Sequence, residues 1–294
     1  MMTTHLSNPL ASPAQLSSSS SLLDGVPPDL ETSVRYVAVR LTQAAGILLR
    51  LPQDTIAQAI VIYTRFWLGP EGGSLRQYDA KDISAACLYM MAKLSAYPQS
   101  PRSVLNVYAY LLSSASPFSK SGKDEVLPSP EEYYLSEGTY QTQRNKMMKM
   151  ETLVLRTLGF QTHVALPYTL AINYLQALDV FGEPSGPELS QRTFAHLTTA
   201  LMSPQLLYST HQPPALATAA IYLAAREVGV KLPSEEWWEV FDVDREELGF
   251  LVVGMRSMDT FVTTETEKWD KRKIPLTTTE LELELELRRM RNGD

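Results

Sequence analysis

The chain has 294 residues, 44% of them hydrophobic and 20% charged, with a net charge of −7; this supports a buried core and offers no general basic field for nucleic acid or acidic lipid. One cysteine, Cys87, and four scattered histidines exclude an intrachain disulfide and a zinc cage built from cysteines. No apolar run approaches the ~20 residues that span a bilayer, and the first residues lack the basic-then-apolar layout of a secretory signal, so a soluble protein of a reducing intracellular compartment is expected.

Residues 1–32 are rich in Ser and Pro, with five consecutive serines from Ser17 to Ser21. That composition predicts a disordered arm, either a plain tether or a phosphorylated regulatory tail. From Val34 the pattern turns helical: Val34, Val37, Leu41, Ala45 and Leu48 recur at spacings of three and four. A second helix is predicted after Pro52, stopping at Gly69. A third, "YDAKDISAACLYMMAKL", carries Asp79 and Asp82 near its start and Lys93 near its end, each sign suited to the helix dipole there. A fourth opens at Ser100-Pro101. After a broken polar gap a long helix places Met147, Met150, Val154, Leu155 and Leu158 on one side and ends at Gly159.

Five further helical stretches follow: "LPYTLAINYLQAL", "LSQRTFAHLTTALMSPQLLYS", "PPALATAAIYLAAREVG", "PSEEWWEVF" and "DREELGFLVVGMRSMDTFV". In the last, Asp244 and Glu247 have capping-box spacing. The third helix of each half echoes the other, "AACLYMMAK" at Ala85–Lys93 against "TAAIYLAAR" at Thr218–Arg226. Small residues let neighbouring helices approach closely, so each of these helices is expected at the centre of its own bundle. No strand-turn-strand signal occurs in the body.

These stretches together resemble a cyclin. "MMAK" is similar to the end of the third helix of a first cyclin box. "MKMETLVLRTLGF" followed by "HVALPY" resembles the fifth helix and the entry to the second box, and "AAIYLAARE" and "WWEVFDVDREEL" resemble the second box of transcription-type cyclins, nearest the L and Q groups. The resemblance covers residues 33–265. It implies an all-α fold of two tandem five-helix cyclin boxes with a disordered N-terminal arm: arm 1–32, N-terminal box 33–163, C-terminal box 164–265, tail 266–294.

It also implies a function. Cyclins are regulatory subunits, not enzymes; they form a heterodimer with a cyclin-dependent kinase and hold its C-helix in the active orientation. A nuclear, transcription- or RNA-processing-linked role is implied, with the cytoplasm also open. No cofactor, metal or small-molecule substrate is expected, and the acidic balance speaks against direct nucleic-acid binding.

In the family, the lysine ending the third helix and a glutamate on the fifth pair at the kinase contact. The matching residues are Lys93 and Glu151, with Leu94, Leu155 and Phe160 at apolar contact positions, although apolar residues at helical spacing also serve as core. Arg226, matching Lys93 in the second half, is expected to be structural. One departure is plain: Ser95 and Ala96 stand where many cyclins carry two acidic residues. That motivates one alternative, a scaffold that keeps the cyclin fold without activating a kinase; the other is a cyclin-fold adaptor in transcription acting on nucleic acid, which would need a basic stripe.

Of adjacent Trp237 and Trp238, one is expected in the core and one at an edge. "KWDKRK", Lys268–Lys273, reads as a solvated helix end or a thin nuclear-import signal. The alternation from Leu281 to Leu287 is strand periodicity without a partner strand, and suggests a partner-binding tail or an exposed end. "GPEGGS", Gly69–Ser74, is a loop lacking the Lys-Ser/Thr of a phosphate cradle.

Overall fold

The computed structural model describes residues 7–113, 116, 118, 133–182, 184–233, 235–270 and 273–292, and every regular element among them is helical. The chain divides into two compact units. The first comprises Pro13–Thr162 with Thr266–Asp294; the second comprises His163–Glu265 with the described residues up to Ser12.

The first unit contains α1 (Pro13–Ser17), α2 (Ser20–Leu23), α3 (Pro28–Leu48), α4 (Gln53–Phe66), α5 (Ala80–Leu94), α6 (Pro101–Leu112) and α7 (Glu137–Thr157). Helix α5 packs against α3, α4, α6 and α7 and is buried on every side from Ile83 to Ala92. A helix apolar all round belongs inside, and its alanines set the spacing of its neighbours. Its Cys87 is fully enclosed, and burial pushes the thiol far above its ordinary pKa. Polar groups at the centre are satisfied: Thr42 and Ser84 hydroxyls lie 2.7 Å apart, and Ser84 meets the Tyr108 hydroxyl at 2.6 Å, joining α3, α5 and α6. The inward stripe of α3 is Leu30, Val34, Ala38, Leu41 and Ala45. Val37 is half-buried, and Leu48, placed on the stripe by its spacing, is 48% exposed.

Both chain ends carry more regular structure than their sequence patterns suggest. The arm expected to be disordered through residue 32 is folded from residue 7 onward, since the five serines spend their hydroxyls on fixed partners. Ser19 caps α2 and donates to Glu31 at 3.0 Å, Ser20 donates to the carbonyls of Pro70 and Gly72, and Ser21 accepts the Leu75 N–H. Residues 1–6 lie outside the described residues, as does most of the polar gap between α6 and α7.

The tail is helical too: α14 (Thr278–Asn292) forms despite the strand-period alternation. Leu and Glu are strong helix formers, and a helix puts Leu281 and Leu285 one turn apart on one face, where both are buried. Leu283 and Leu287 fall on the other side, 56% and 47% exposed. The helix is held to the first unit by ionic contacts. Arg76 forks onto Glu282 at 2.6 and 2.9 Å, and Asp29 receives both Arg288 and Lys268. Lys268, from the basic cluster, is thereby tied into the fold.

Asp79 is the junction of this arrangement. Its Oδ1 accepts the Thr278 N–H at 2.8 Å, at the start of α14, and its Oδ2 meets the Lys146 ammonium of α7 at 2.7 Å. Burial alone would raise this carboxyl, but hydrogen bonds from the Lys146 ammonium and the Thr278 N–H outweigh it and hold the pKa down to about 2, against an ordinary 3.8. A depressed carboxylate stabilises the fold above its unfolded pKa and loses that contribution as pH falls through the folded one. Urea unfolding across that acid window will therefore show the wild-type chain losing stability more steeply than Asp79→Asn. The difference between the two shrinks as pH approaches about 2. Parallel curves would remove Asp79 from this role.

The second unit contains α8 (Tyr168–Ala177), α9 (Gly186–Ala200), α10 (Leu207–Thr210), α11 (Pro213–Val228) and α12 (Arg245–Arg256), and α13 (Met258–Trp269) runs out of it after Glu265. Helix α11 packs against α8, α9 and α12 and is buried nearly throughout, as α5 is. The small-residue echo thus marks the central helix of each unit. Three expected helices are different in detail. The second stretch breaks after Ala200, where Ser203-Pro204 and a left-handed Leu206 (φ +57°) intervene before α10. "PSEEWWEVF" yields a 3₁₀ turn, Trp237–Phe241, with Trp237 in the core and Trp238 half-buried beside it. The last stretch ends one helix at Ser257 and starts another; Asp244 caps its beginning by accepting the Glu247 N–H at 2.7 Å.

Candidate functional site

The site lies in the first unit where α5 ends beside α7. On α7 the inward stripe is Met147, Glu151 and Val154, at i, i+4 and i+7. Glu151 therefore occupies a core position, and is 8% exposed. A carboxylate there needs a counter-charge, because desolvating it alone costs several kcal/mol. Lys93, in the last turn of α5, supplies one: its Nζ forms an ion pair with Glu151 Oε1. The ammonium also sits 4.7 Å from the centre of the Tyr89 ring, one turn earlier on the same helix. Lys93 nevertheless remains 39% exposed in its side chain, against 11% for Glu151. An ammonium has three donors, so donor capacity is left at the surface.

Exposed apolar side chains border the pair. Leu94 follows Lys93 and is 64% exposed. Leu155, one turn beyond Glu151, is half-buried. Past the end of α7, Phe160 is 69% exposed and its N–H donates to the Leu155 carbonyl at 2.8 Å. Gly159 and Phe160 both adopt left-handed backbone, φ +56° and +61°. A glycine takes that conformation freely, whereas an aromatic residue pays about 1–2 kcal/mol. That backbone accompanies a large ring left in solvent, the kind of outlier found at binding sites.

The structure thus brings Lys93 and Glu151 together, with Leu94 and Leu155 beside them on the two helices and Phe160 tethered to Leu155. Sequence reasoning missed Tyr97, 55% exposed just after α5; an aromatic residue in a short turn before Pro98 was the signal. Ser95 has a local duty: its hydroxyl donates to the Ala92 carbonyl at 2.9 Å and accepts the Tyr97 N–H at 3.0 Å, closing α5. Ala96 is exposed.

Arg226 repeats half of the arrangement, lying 5.9 Å from the Tyr222 ring and donating to its hydroxyl at 3.3 Å. Among the described residues no carboxylate pairs with it. Among the described residues, too, no three His, Cys, Asp or Glu side chains gather to hold a metal ion, and no helix is long and apolar enough to cross a membrane.

No family model matches the chain. Individual proteins do. The chain is 32% identical over 229 residues to human Cyclin-L2, which covers 78% of this chain and 40% of that protein. It is 31% identical over 235 residues to zebrafish (Danio rerio) Cyclin-L1, covering 80% and 43%. It therefore spans about 40% of the length of the curated relatives it matches. In three dimensions it is similar to a chain of the yeast RNA Pol II CTD kinase complex, with a TM-score of 0.67, 11% identity, and coverage of 98% of this chain and 84% of that one. It is also similar to a chain of the Chaetomium thermophilum CAK complex bound to ATP-gamma-S, with a TM-score of 0.61, 16% identity and coverage of 97% and 91%.

Proposed function

The chain belongs to the cyclin family, and from that premise we propose that it is the regulatory subunit of a cyclin-dependent protein kinase, docked through the α5–α7 face of its first unit. One observation carries the reading: a lysine and a glutamate from separate helices meet on a surface edged by exposed Leu94 and Phe160. Such a pair suits a partner's backbone. Charge-assisted bonds fix orientation, and the apolar residues around them supply desolvated contact area.

The catalytic chemistry belongs to the kinase. In kinases of this kind a C-helix glutamate pairs with the lysine that positions ATP phosphates, so a surface that fixes the C-helix controls phosphoryl transfer. Lys93 and Glu151 set the register of that contact; Leu94, Leu155 and Phe160 give it area, and Tyr97 extends it. One similar fold comes from a complex named as an RNA Pol II CTD kinase, which supports a transcription-linked kinase partner.

A second reading rests on Ser95 and Ala96. With an uncharged hydroxyl and a methyl where many cyclins place acids, the chain docks a kinase without switching it on, as an adaptor in transcription. Affinity capture of the full chain from native extract, with mass-spectrometric identification and a phosphoryl-transfer assay on the recovered kinase, separates the two. Activation predicts a rise of at least about tenfold in rate, roughly 1.4 kcal/mol of barrier. A bound kinase with unchanged rate favours the adaptor. Recovery of no kinase counts against both.

A further inference from the structure

The described residues ahead of α1 are not a loose end. Residues 7–12 lie in no regular element and belong to the second unit, and Asn8 is 6% exposed. Its side-chain amide makes a closed pair of hydrogen bonds with the backbone of Ala165: Nδ2 donates to the Ala165 carbonyl at 2.8 Å, and Oδ1 accepts the Ala165 N–H at 2.8 Å. Gln212 does the converse. Its Oε1 accepts the Asn8 N–H at 2.9 Å and its Nε2 donates to the Asn8 carbonyl at 3.0 Å. Three residues on, the Ala11 N–H donates to the Ser209 carbonyl at 2.8 Å.

Gln212 stands at the N-cap of α11 yet makes no capping bond to that helix. An N-cap side chain ordinarily satisfies its own helix; this one is given over to the main chain of another segment. Main-chain pairing of this kind reads an extended backbone whatever its side chains, while the Ala165 pair demands a group that both donates and accepts. Asparagine meets that demand. An aspartate would lose the donor and set a carboxylate oxygen against the Ala165 carbonyl. Pro9 and Leu10 are exposed, so they add little selection.

We infer that Ala165, Ser209 and Gln212 form a recognition site for an extended, asparagine-bearing peptide, occupied in cis by residues 7–12. The ligand class is an unstructured segment offering an asparagine and, three residues later, a backbone N–H. The chain's own segment is the built-in competitor. The residues of this site belong to the second unit, and those of the proposed kinase-docking face belong to the first.

The test uses the full chain and a fluorescent peptide of residues 4–13. In fluorescence anisotropy the peptide should saturate the Asn8→Ala chain, whose own segment has lost its side-chain pair, and bind the wild-type chain at least about tenfold more weakly. An Asn8→Asp peptide, or an Asn8→Ala/Gln212→Ala chain, should lose at least about tenfold in affinity. Equal binding to wild-type and Asn8→Ala chains, equal binding of the aspartate peptide, or no binding at all would overturn the inference. Amide hydrogen exchange on the wild-type chain gives a check that needs no variant. The Ala165 amide should exchange by local opening, at least about tenfold faster than Ala220 in the core of α11. Equal protection would make the segment a fixed staple and remove the idea of exchange.

Discussion

Replacing both Lys93 and Glu151 by alanine will abolish kinase capture, a loss of at least about a hundredfold, while leaving the chain folded. Interface groups that are central and paired carry on the order of 2 kcal/mol or more each, so losing both exceeds the roughly 2.8 kcal/mol that a hundredfold requires. The single variants will behave differently from the double. Lys93→Ala leaves a carboxylate that is 8% exposed without its ammonium, and an orphaned buried charge destabilises by roughly 1–3 kcal/mol or more. Removing Glu151 as well takes the orphan away. Urea unfolding should therefore rank Lys93→Ala below the double variant in stability, although both fail to bind. This non-additivity is what a double-mutant cycle detects between touching groups. Normal capture by the double variant would take the docking surface away from the α5–α7 face.

The second large effect concerns α14. Leu285→Ala should lower the unfolding free energy by about 2 kcal/mol or more, the usual range for emptying a buried leucine site. Leu283→Ala should change it by no more than about 0.5 kcal/mol, as expected for an exposed position. A strand places 281, 283, 285 and 287 on one face and gives similar values at all four. The split between 285 and 283 is specific to a helix. Equal losses at the two positions would count against the helix.

That tail shows why some of the fold was legible and some was not. Leu-Glu alternation has the period of a strand, but period is only one signal. Both residue types favour helix, and a two-residue repeat necessarily contains the i, i+4 pair Leu281 and Leu285. The contacts that decide between the two readings, Arg76 with Glu282 and Asp29 with Arg288, join residues too distant in sequence for any local pattern to show them. The serine run misled for a similar reason. Composition suggested an arm without structure, whereas Ser19, Ser20 and Ser21 each have a specific partner supplied by the loop after α4 or by α3.

By contrast, α5 and α11 were readable as central helices because a helix apolar on every face has few other places to be. Glu151 was readable only by resemblance. Its spacing from Met147 and Val154 puts it on the inward stripe, but spacing alone gives a carboxylate there no role. Phe160 could be core or surface by pattern; the left-handed backbone that turns it outward follows the end of α7 and leaves no periodic trace.

The enclosed thiol of Cys87 has a practical consequence. It is the chain's sole cysteine, has no measurable exposure, and burial keeps it protonated at neutral pH. A maleimide dye will therefore leave the unmodified protein untouched and react with a single cysteine engineered at an accessible position such as Met290, which is 75% exposed. Distance measurements by energy transfer or spin labelling can then begin from the native background, with no need to remove the existing sulfur first.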